Sequence, residues 1–227
     1  MPAFTLYGGR GSSNTDRVRL TLAEGGFTDF DLEILDMRNG EQKSPENMKR
    51  HPWGKIPSLI FPDGFTLYES RAICTYLARK YSFPLLPPVA DLEATALFEQ
   101  AQSEEMLYFA DPAGKISFEK FAKKFIGLPT DEGVVAGAVK ALEGFFDVAE
   151  RMLQGRDYMA GKEFTLVDIY YIPLIQRLFA CGYGEMVTGR KAVSAWWARI
   201  TGRPAIAKLL AADREAMAAA QAAGAKK

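Results

Sequence analysis

An α+β domain followed by an all-helical domain is the architecture this sequence predicts, and three observations predict it. Strand-like and helix-like segments alternate over the first third of the 227 residues. A proline cluster, Pro84, Pro87 and Pro88, then breaks the alternation. Beyond it, every periodic segment has helical spacing. The expected boundaries are residues 1–82 for the first domain, 83–92 for a linker and 93–227 for the helical domain. A chain of this length suits one or two domains, and an apolar content of 48% is ordinary for a globular core.

The first domain reads in the order βαβαββα. Residues 4–7, Phe-Thr-Leu-Tyr, form a strand, and Gly8-Gly9-Arg10-Gly11 a loop. Residues 15–25 have a helical pattern carried by Val18, Leu20, Leu22 and Ala23, and Gly25-Gly26 ends it. Residues 30–35 alternate as a strand. Ser44-Pro45 opens a short helix, since proline is tolerated in a first turn. Residues 58–61 and 65–67 flank Pro62-Asp63-Gly64, a hairpin signal. Residues 69–81 close the domain as a helix with Ala72, Ile73, Tyr76 and Leu77 facing inward.

In the second domain, residues 92–109 read as a long helix that Asp111-Pro112 kinks or interrupts. Residues 116–125 continue helically until Gly127-Leu128-Pro129. Residues 134–153 repeat apolar side chains at helical spacing. Phe164-Thr165-Leu166-Val167-Asp168-Ile169 is a capping box with a hydrophobic staple and starts another helix. Residues 193–200 and 205–210 read as shorter helices. Residues 216–227 are alanine-rich with little to bury, and fraying is expected at their end.

Composition excludes several classes of function. The 28 basic and 28 acidic residues balance, so no electrostatic footprint for nucleic acid or an anionic membrane appears. No apolar run is long enough to span a bilayer. Met1-Pro2-Ala3 leads straight into a strand, which predicts no signal peptide and a cytoplasmic location. Cys74 and Cys181 lie far apart, which fits a reducing compartment. One histidine, His51, and two scattered cysteines argue against a metal site.

Ser12 and Ser13 fall where a strand, a short loop and a helix N-terminus meet. That is the thioredoxin-like arrangement, without its Cys-x-x-Cys. The helix end offers unpaired N–H groups and partial positive charge to an anion. A serine hydroxyl there can only donate to another molecule's thiolate, which points to a bound thiol cofactor. Ile56-Pro57 precedes a strand, and a proline there leaves the Ile56 N–H and C=O free to pair with an extended peptide. A plain strand-entry turn is the alternative. Ser70 can offer its hydroxyl and the first helical turn its N–H groups to a carboxylate, while Glu69 can accept from an ammonium. Simple helix capping is the alternative for Ser70. Lys43 suits a second carboxylate, and Lys55 is a similar case; both residue types are commonly plain surface charge. Together these pieces describe an amino acid head, a peptide middle, a thiol and a terminal carboxylate, which is the layout of glutathione.

With these motifs the chain resembles the cytosolic glutathione transferases over nearly all its length. The matching stretches include residues 7–12, Gly40-Glu41-Gln42-Lys43-Ser44-Pro45, Pro52-Trp53-Gly54-Lys55-Ile56-Pro57, Leu67-Tyr68-Glu69-Ser70-Arg71, Tyr158-Met159-Ala160-Gly161 and the Phe164–Asp168 segment. The serine-type phi class is the most similar. The resemblance implies Ser12 as the catalytic residue, with Ser13 competing beside it and Asn14 a further donor better suited to capping. It implies glutathione contacts at Gln42, Lys43, Lys55, Ile56, Glu69 and Ser70, with a cis bond before Pro57. The family often has histidine at the position of Gln42, and phi enzymes often have glutamine at that of Lys55. An apolar electrophile pocket is implied on the helical domain, at Tyr108, Phe109 and Phe118, with Met37 and Arg10 facing it; aromatic core packing is an equal reading of each ring. The implied activity is conjugation of the glutathione thiolate to hydrophobic electrophiles, with glutathione-dependent peroxidase activity as an addition and no metal. A homodimer is the family norm. The alternative is a non-catalytic ligand carrier or assembly module.

Overall fold

A computed structural model describes residues 1–224. Its first domain holds a four-stranded mixed sheet of order β2-β1-β3-β4, built from β1 (Thr5–Gly8), β2 (Asp31–Ile34), β3 (Ser58–Ile60) and β4 (Thr66–Tyr68). β1 runs parallel to β2, pairing Thr5 with Asp31, and antiparallel to β3, pairing Tyr7 with Ser58. The crossover between β1 and β2 carries α1 (Ser13–Glu24). A short α2 (Pro45–Arg50) and α3 (Ser70–Lys80) complete the expected order. Phe4 just before β1, Leu6 on β1, Val18 and Leu22 on α1, and Ile73 and Leu77 on α3 are fully buried and form one core. Phe27, Phe30, Phe61 and Tyr81 surround Phe4, with ring centroids 5.4–6.4 Å away.

Two details of this domain differ from expectation. Ala72 is exposed, and the inward face of α3 is Ile73, Cys74, Leu77 and Ala78. A stripe of i, i+1, i+4, i+5 spacing covers a helix face as well as the expected one does, so small residues do not settle the rotation. β2 is an edge strand with all four residues exposed, so alternation there produced no buried face.

The helical domain begins with α4 (Leu92–Glu104). The expected break at Pro112 does not separate two helices. The chain widens into a π-helical stretch at Glu105–Ala110, continues as α5 (Asp111–Ser117), widens again at Phe118–Ala122 and ends in α6 (Lys123–Ile126). Pro112 has no N–H for the carbonyl four residues back, and a wider turn removes that demand. Gly127, at φ 69°, stops the helix in a left-handed cap. α7 (Glu132–Leu153) packs on α5, and α8 (Leu166–Ala180) is buried almost throughout. Asp168 reaches back to the Thr165 N–H at 3.0 Å and also accepts from the Met159 N–H and the Trp196 indole, at 3.0 and 2.9 Å. α9 (Glu185–Thr188), α10 (Lys191–Thr201) and α11 (Pro204–Gly224) follow. α11 is far longer than the apolar pattern of residues 205–210 implies, because alanine favours helix without needing a partner. The expected fraying at residues 225–227 lies outside the described residues.

Candidate active site

The site starts at the loop between β1 and α1. A Cβ on Gly8 would sit 2.4 Å from Thr15 Cγ2, and one on Gly9 2.6 Å from Ile56 Cδ1. Glycines therefore let this loop lie against α1 on one side and the 56–57 turn on the other. The Thr15 hydroxyl fastens the loop by accepting from the Gly9 N–H at 3.2 Å. Ser12 caps α1 in an extended conformation, and its Oγ accepts from the Thr15 N–H at 3.3 Å. Its own O–H proton remains free to donate toward the same helix end. Ser13 is the first residue of α1, and among the described residues its hydroxyl has no hydrogen bond. Asn14 Oδ1 accepts from Arg17 at 2.7 Å, which gives Asn14 a structural task.

The 42–57 segment builds the second wall. The Ile56-Pro57 bond is cis. Among the described residues neither the N–H nor the C=O of Ile56 has a hydrogen-bond partner, although Ser58 immediately enters the sheet. Asn47, which the sequence reading passed over, fixes this segment. It is fully buried, and its amide donates to the carbonyls of Gln42 and Lys55 at 2.9 and 3.2 Å. Lys43 does not reach outward; its ammonium donates to the Trp53 carbonyl at 2.9 Å. Gly54, at φ +57°, lies where a Cβ would meet Met48 Sδ at 2.7 Å and the Gln42 carbonyl at 3.1 Å, so only glycine closes this loop. The buried Gln42 Oε1 has no protein partner among the described residues. Lys55 is exposed.

The third wall is the start of α3. Glu69 holds a φ of 69°, a conformation that costs a non-glycine residue about 1–3 kcal/mol and collects at functional sites. Its side chain is exposed, and Ser70 beside it is buried. Ser70 Oγ accepts from Arg17 at 2.8 Å, so here too the hydroxyl proton is left to give. Arg17 is 1% exposed and also donates to the Tyr170 carbonyl at 3.4 Å. Burial, and then the neighbouring charge of Arg71, push its pKa down, against the attraction of Glu105. The Glu105 carboxylate, fully buried, accepts a two-pronged bond from Arg71 at 2.7 and 2.8 Å and lies 3.9 Å from Arg17. This cluster joins α1 and α3 to the helical domain. Sequence reading missed Arg17 and Glu105; an acid directly preceding the apolar run of residues 106–110 was the available signal.

The helical side corrects one expectation outright. Phe109 is fully buried and packs on Tyr171, Phe145 and Phe146 with centroids 4.8–6.1 Å apart. It is core and cannot touch a substrate. Tyr108 is exposed and lines a separate cavity of about 680 Å³ with Leu107, Val134, Gly137 and Phe145; none of its lining residues comes from the first domain. Met37 does reach the loop, its Cγ 3.3 Å from the place a Gly9 Cβ would take. Phe118 is half-exposed beneath the Lys123 ammonium, and Arg10 is exposed on the loop. Arg177, also missed, comes from the end of α8 and donates to the Gly11 carbonyl at 2.5 Å while stacking on Phe121 at 3.8 Å. Burial lowers its pKa against the attraction of Asp16.

A hydroxyl-capped helix start beside an open peptide edge and a second hydroxyl at the head of α3 defines a thiol-peptide-binding protein of the thioredoxin-like class. The comparisons name the family. Residues 2–79 match the family model "Glutathione S-transferase, N-terminal domain" and residues 90–204 the model "Glutathione S-transferase, C-terminal domain". Glutathione S-transferase PM239X14 of Arabidopsis thaliana is 37% identical over 209 residues, covering 87% of this chain and 91% of the relative. The crystal structure of glutathione transferase F7 from Populus trichocarpa superposes with a TM-score of 0.86 at 30% identity, covering 91% of this chain and 97% of that one. A maize glutathione S-transferase I in complex with an atrazine glutathione conjugate gives 0.84 at 31%, covering 93% and 98%. The chain belongs to the glutathione S-transferase family, and its relatives include the plant F-type, phi-class enzymes.

Proposed function

We propose that this protein is a transferase that joins the glutathione thiol to hydrophobic electrophiles. The observation that carries the reading is the set of groups left open around one face: the Ser12 hydroxyl proton, the Ile56 N–H and C=O, and the Ser70 hydroxyl proton. They fit, in turn, the thiol, the peptide middle and the γ-glutamyl head of glutathione. The maize relative, solved with a glutathione conjugate, supports the same reading.

Glutathione when bound supplies a thiol that is mostly protonated at neutral pH, free thiols ionising near about 8.5. Ser12 donates its proton toward the sulfur, and the α1 N-terminus adds positive potential, so both favour the thiolate and lower its pKa. Ser12 is a donor and not the nucleophile. Ile56 pairs with the peptide backbone as an added strand would. Ser70 and the first turn of α3 hold the head carboxylate, with Arg17 orienting the Ser70 hydroxyl from behind, and Glu69 takes the ammonium. Gln42 and Lys55 take the far carboxylate. Lys43 acts through the loop it braces. Catalysis is then positioning plus charge stabilisation.

In this reading residues 1–82 bind glutathione, residues 83–92 link, and residues 93–227 complete the electrophile site. Among the described residues no helix is long and apolar enough to cross a membrane. The family resemblance, and not that absence, makes a cytoplasmic homodimer the expected state. The exposed Trp53, Met48 and Leu97 provide apolar surface for a second copy. The test is turnover of 1-chloro-2,4-dinitrobenzene by the wild type and by Ser12→Ala. The wild type should conjugate it, and the variant should lose about 10²–10³ in kcat, the range for removing one preorganised donor. Glutathione binding without turnover in the wild type would replace the enzyme by a carrier.

A further inference from the structure

The contacts around the mouth of the site close a ring. Met37 lies against Gly9, as the approach of its Cγ to the missing Cβ shows. The next residue, Arg38, lays its guanidinium 5.4 Å over the Phe125 ring of α6. Phe125 packs on Phe121 with centroids 5.0 Å apart. Phe121 carries the Arg177 guanidinium, and Arg177 returns to the Gly11 carbonyl. The first domain contributes the loop before Ser12 and the segment after β2. The helical domain contributes α8 and the stretch from Phe121 to Phe125.

The chemistry of this ring is one-sided. It presents two guanidiniums among Met37 and two phenyl rings, and no carboxylate. Nearby acids have partners of their own. Asp16 pairs with Arg19 at 2.9 Å, and Glu119 pairs with Lys123 at 2.6 Å. Asp36 Oδ1 accepts from the backbone N–H groups of Arg38 and Asn39. Among the described residues the Arg38 side chain has no hydrogen-bond acceptor at all, and Arg177 has only the Gly11 carbonyl. A guanidinium resting on an aromatic face keeps its edge donors for an anion, and its planar fork matches a carboxylate.

We infer that this opening selects planar aromatic electrophiles that carry a carboxylate, with Arg38 and Arg177 as the selecting residues. The inference rests on the thiolate reading above and names the substrate class of that same site. A flat ring rests against the exposed surfaces of Phe125 and Met37, and the carboxylate meets the guanidinium donors. For an activated aryl chloride the step balances simply. The thiolate sulfur bonds to the ring carbon, chloride leaves with the bonding pair, and the thiol proton has gone to solvent.

The experiment compares 4-chloro-3,5-dinitrobenzoate with 1-chloro-2,4-dinitrobenzene. Each kcat/KM is divided by that compound's uncatalysed rate with free glutathione thiolate, which removes intrinsic reactivity. The expected ratio favours the benzoate by about tenfold, the scale of one charge-assisted hydrogen bond. Arg38→Gln and Arg177→Gln should each lower the ratio severalfold, Arg177→Lys should lower it less, and salt at about 0.5 M should compress it. Arg38 is exposed, so its variant reports even if Arg177→Gln fails to fold. Equal enhancement of both compounds, or a ratio indifferent to Arg38→Gln, overturns the inference and leaves the transferase reading standing. No turnover of either compound overturns both.

Discussion

The two halves of the site are made of different materials. The proposed glutathione half consists of main-chain groups and hydroxyls held at the ends of regular elements: Ser12 at the cap of α1, Ile56 before β3, Ser70 at the head of α3. The electrophile half, as we infer it, consists of long side chains from separate elements, Met37, Arg38, Phe121, Phe125 and Arg177, leaning on one another. Backbone groups at element ends move only if the element moves. Side-chain walls change with single substitutions. The first half is therefore suited to a constant ligand and the second to variable ones, within one cleft.

The largest effect expected comes from the cluster that binds the halves together. Glu105→Ala leaves Arg71 and the buried Arg17 without their carboxylate, and loss of one partner of a buried pair costs about 3–5 kcal/mol. Urea unfolding should show that loss in the midpoint. A cost below about 1 kcal/mol, the size of a surface pair, would mean the halves are joined by packing alone. Phe109→Ala should cost a similar roughly 3–5 kcal/mol, because it empties a core site. If it changed electrophile preference while leaving stability intact, Phe109 would belong to the cleft after all.

A smaller effect sharpens the glutathione half. Ser70→Ala removes a donor to the head carboxylate and leaves Arg17 short of an acceptor, so KM for glutathione should rise roughly tenfold, equivalent to about 1.4 kcal/mol. Steady-state kinetics with glutathione varied would measure it. A fall in kcat at unchanged KM would move Ser70 from binding to chemistry.

The smallest effect concerns a group outside both halves. Burial pushes the Cys74 thiol up to about 11. A folded value above the unfolded one means the fold favours the protonated thiol. That stability is fully present below the ordinary thiol value and is lost as pH rises from there towards 11. Stability measured between about pH 8 and 11 should fall, less steeply in Cys74→Ala. In the native protein Cys74 should resist alkylation at pH 8, and Cys181, half-buried and also raised by burial, should react slowly.

The contrast in materials also explains what could be read from the sequence. Caps, prolines and glycines leave local marks, so the βαβαββα order and the positions of Ser12, Ile56-Pro57 and Ser70 were legible. Arg17, Glu105 and Arg177 were not, because each acts on residues far along the chain; Arg177 meets Gly11 and Arg17 meets Ser70. Asn47 acts on nearer residues, but on the loop carbonyls of Gln42 and Lys55, which leave no mark in the sequence. Tyr108 and Phe109 show the limit on the helical side. Neighbours on a helix point about 100° apart, so only one of them faces the core, and the widened turn at residues 105–110 shifts which one.

Whether Ser12 activates the thiol can be read from a pH titration of bound glutathione. Thiolate absorbance would be followed with saturating glutathione on the wild type and on Ser12→Ala. If Ser12 is the activating donor, the bound thiol pKa lies well below the free value of about 8.5 in the wild type and returns towards it in the variant. A bound pKa equal to the free one, or one that the substitution leaves unmoved, would contradict that role.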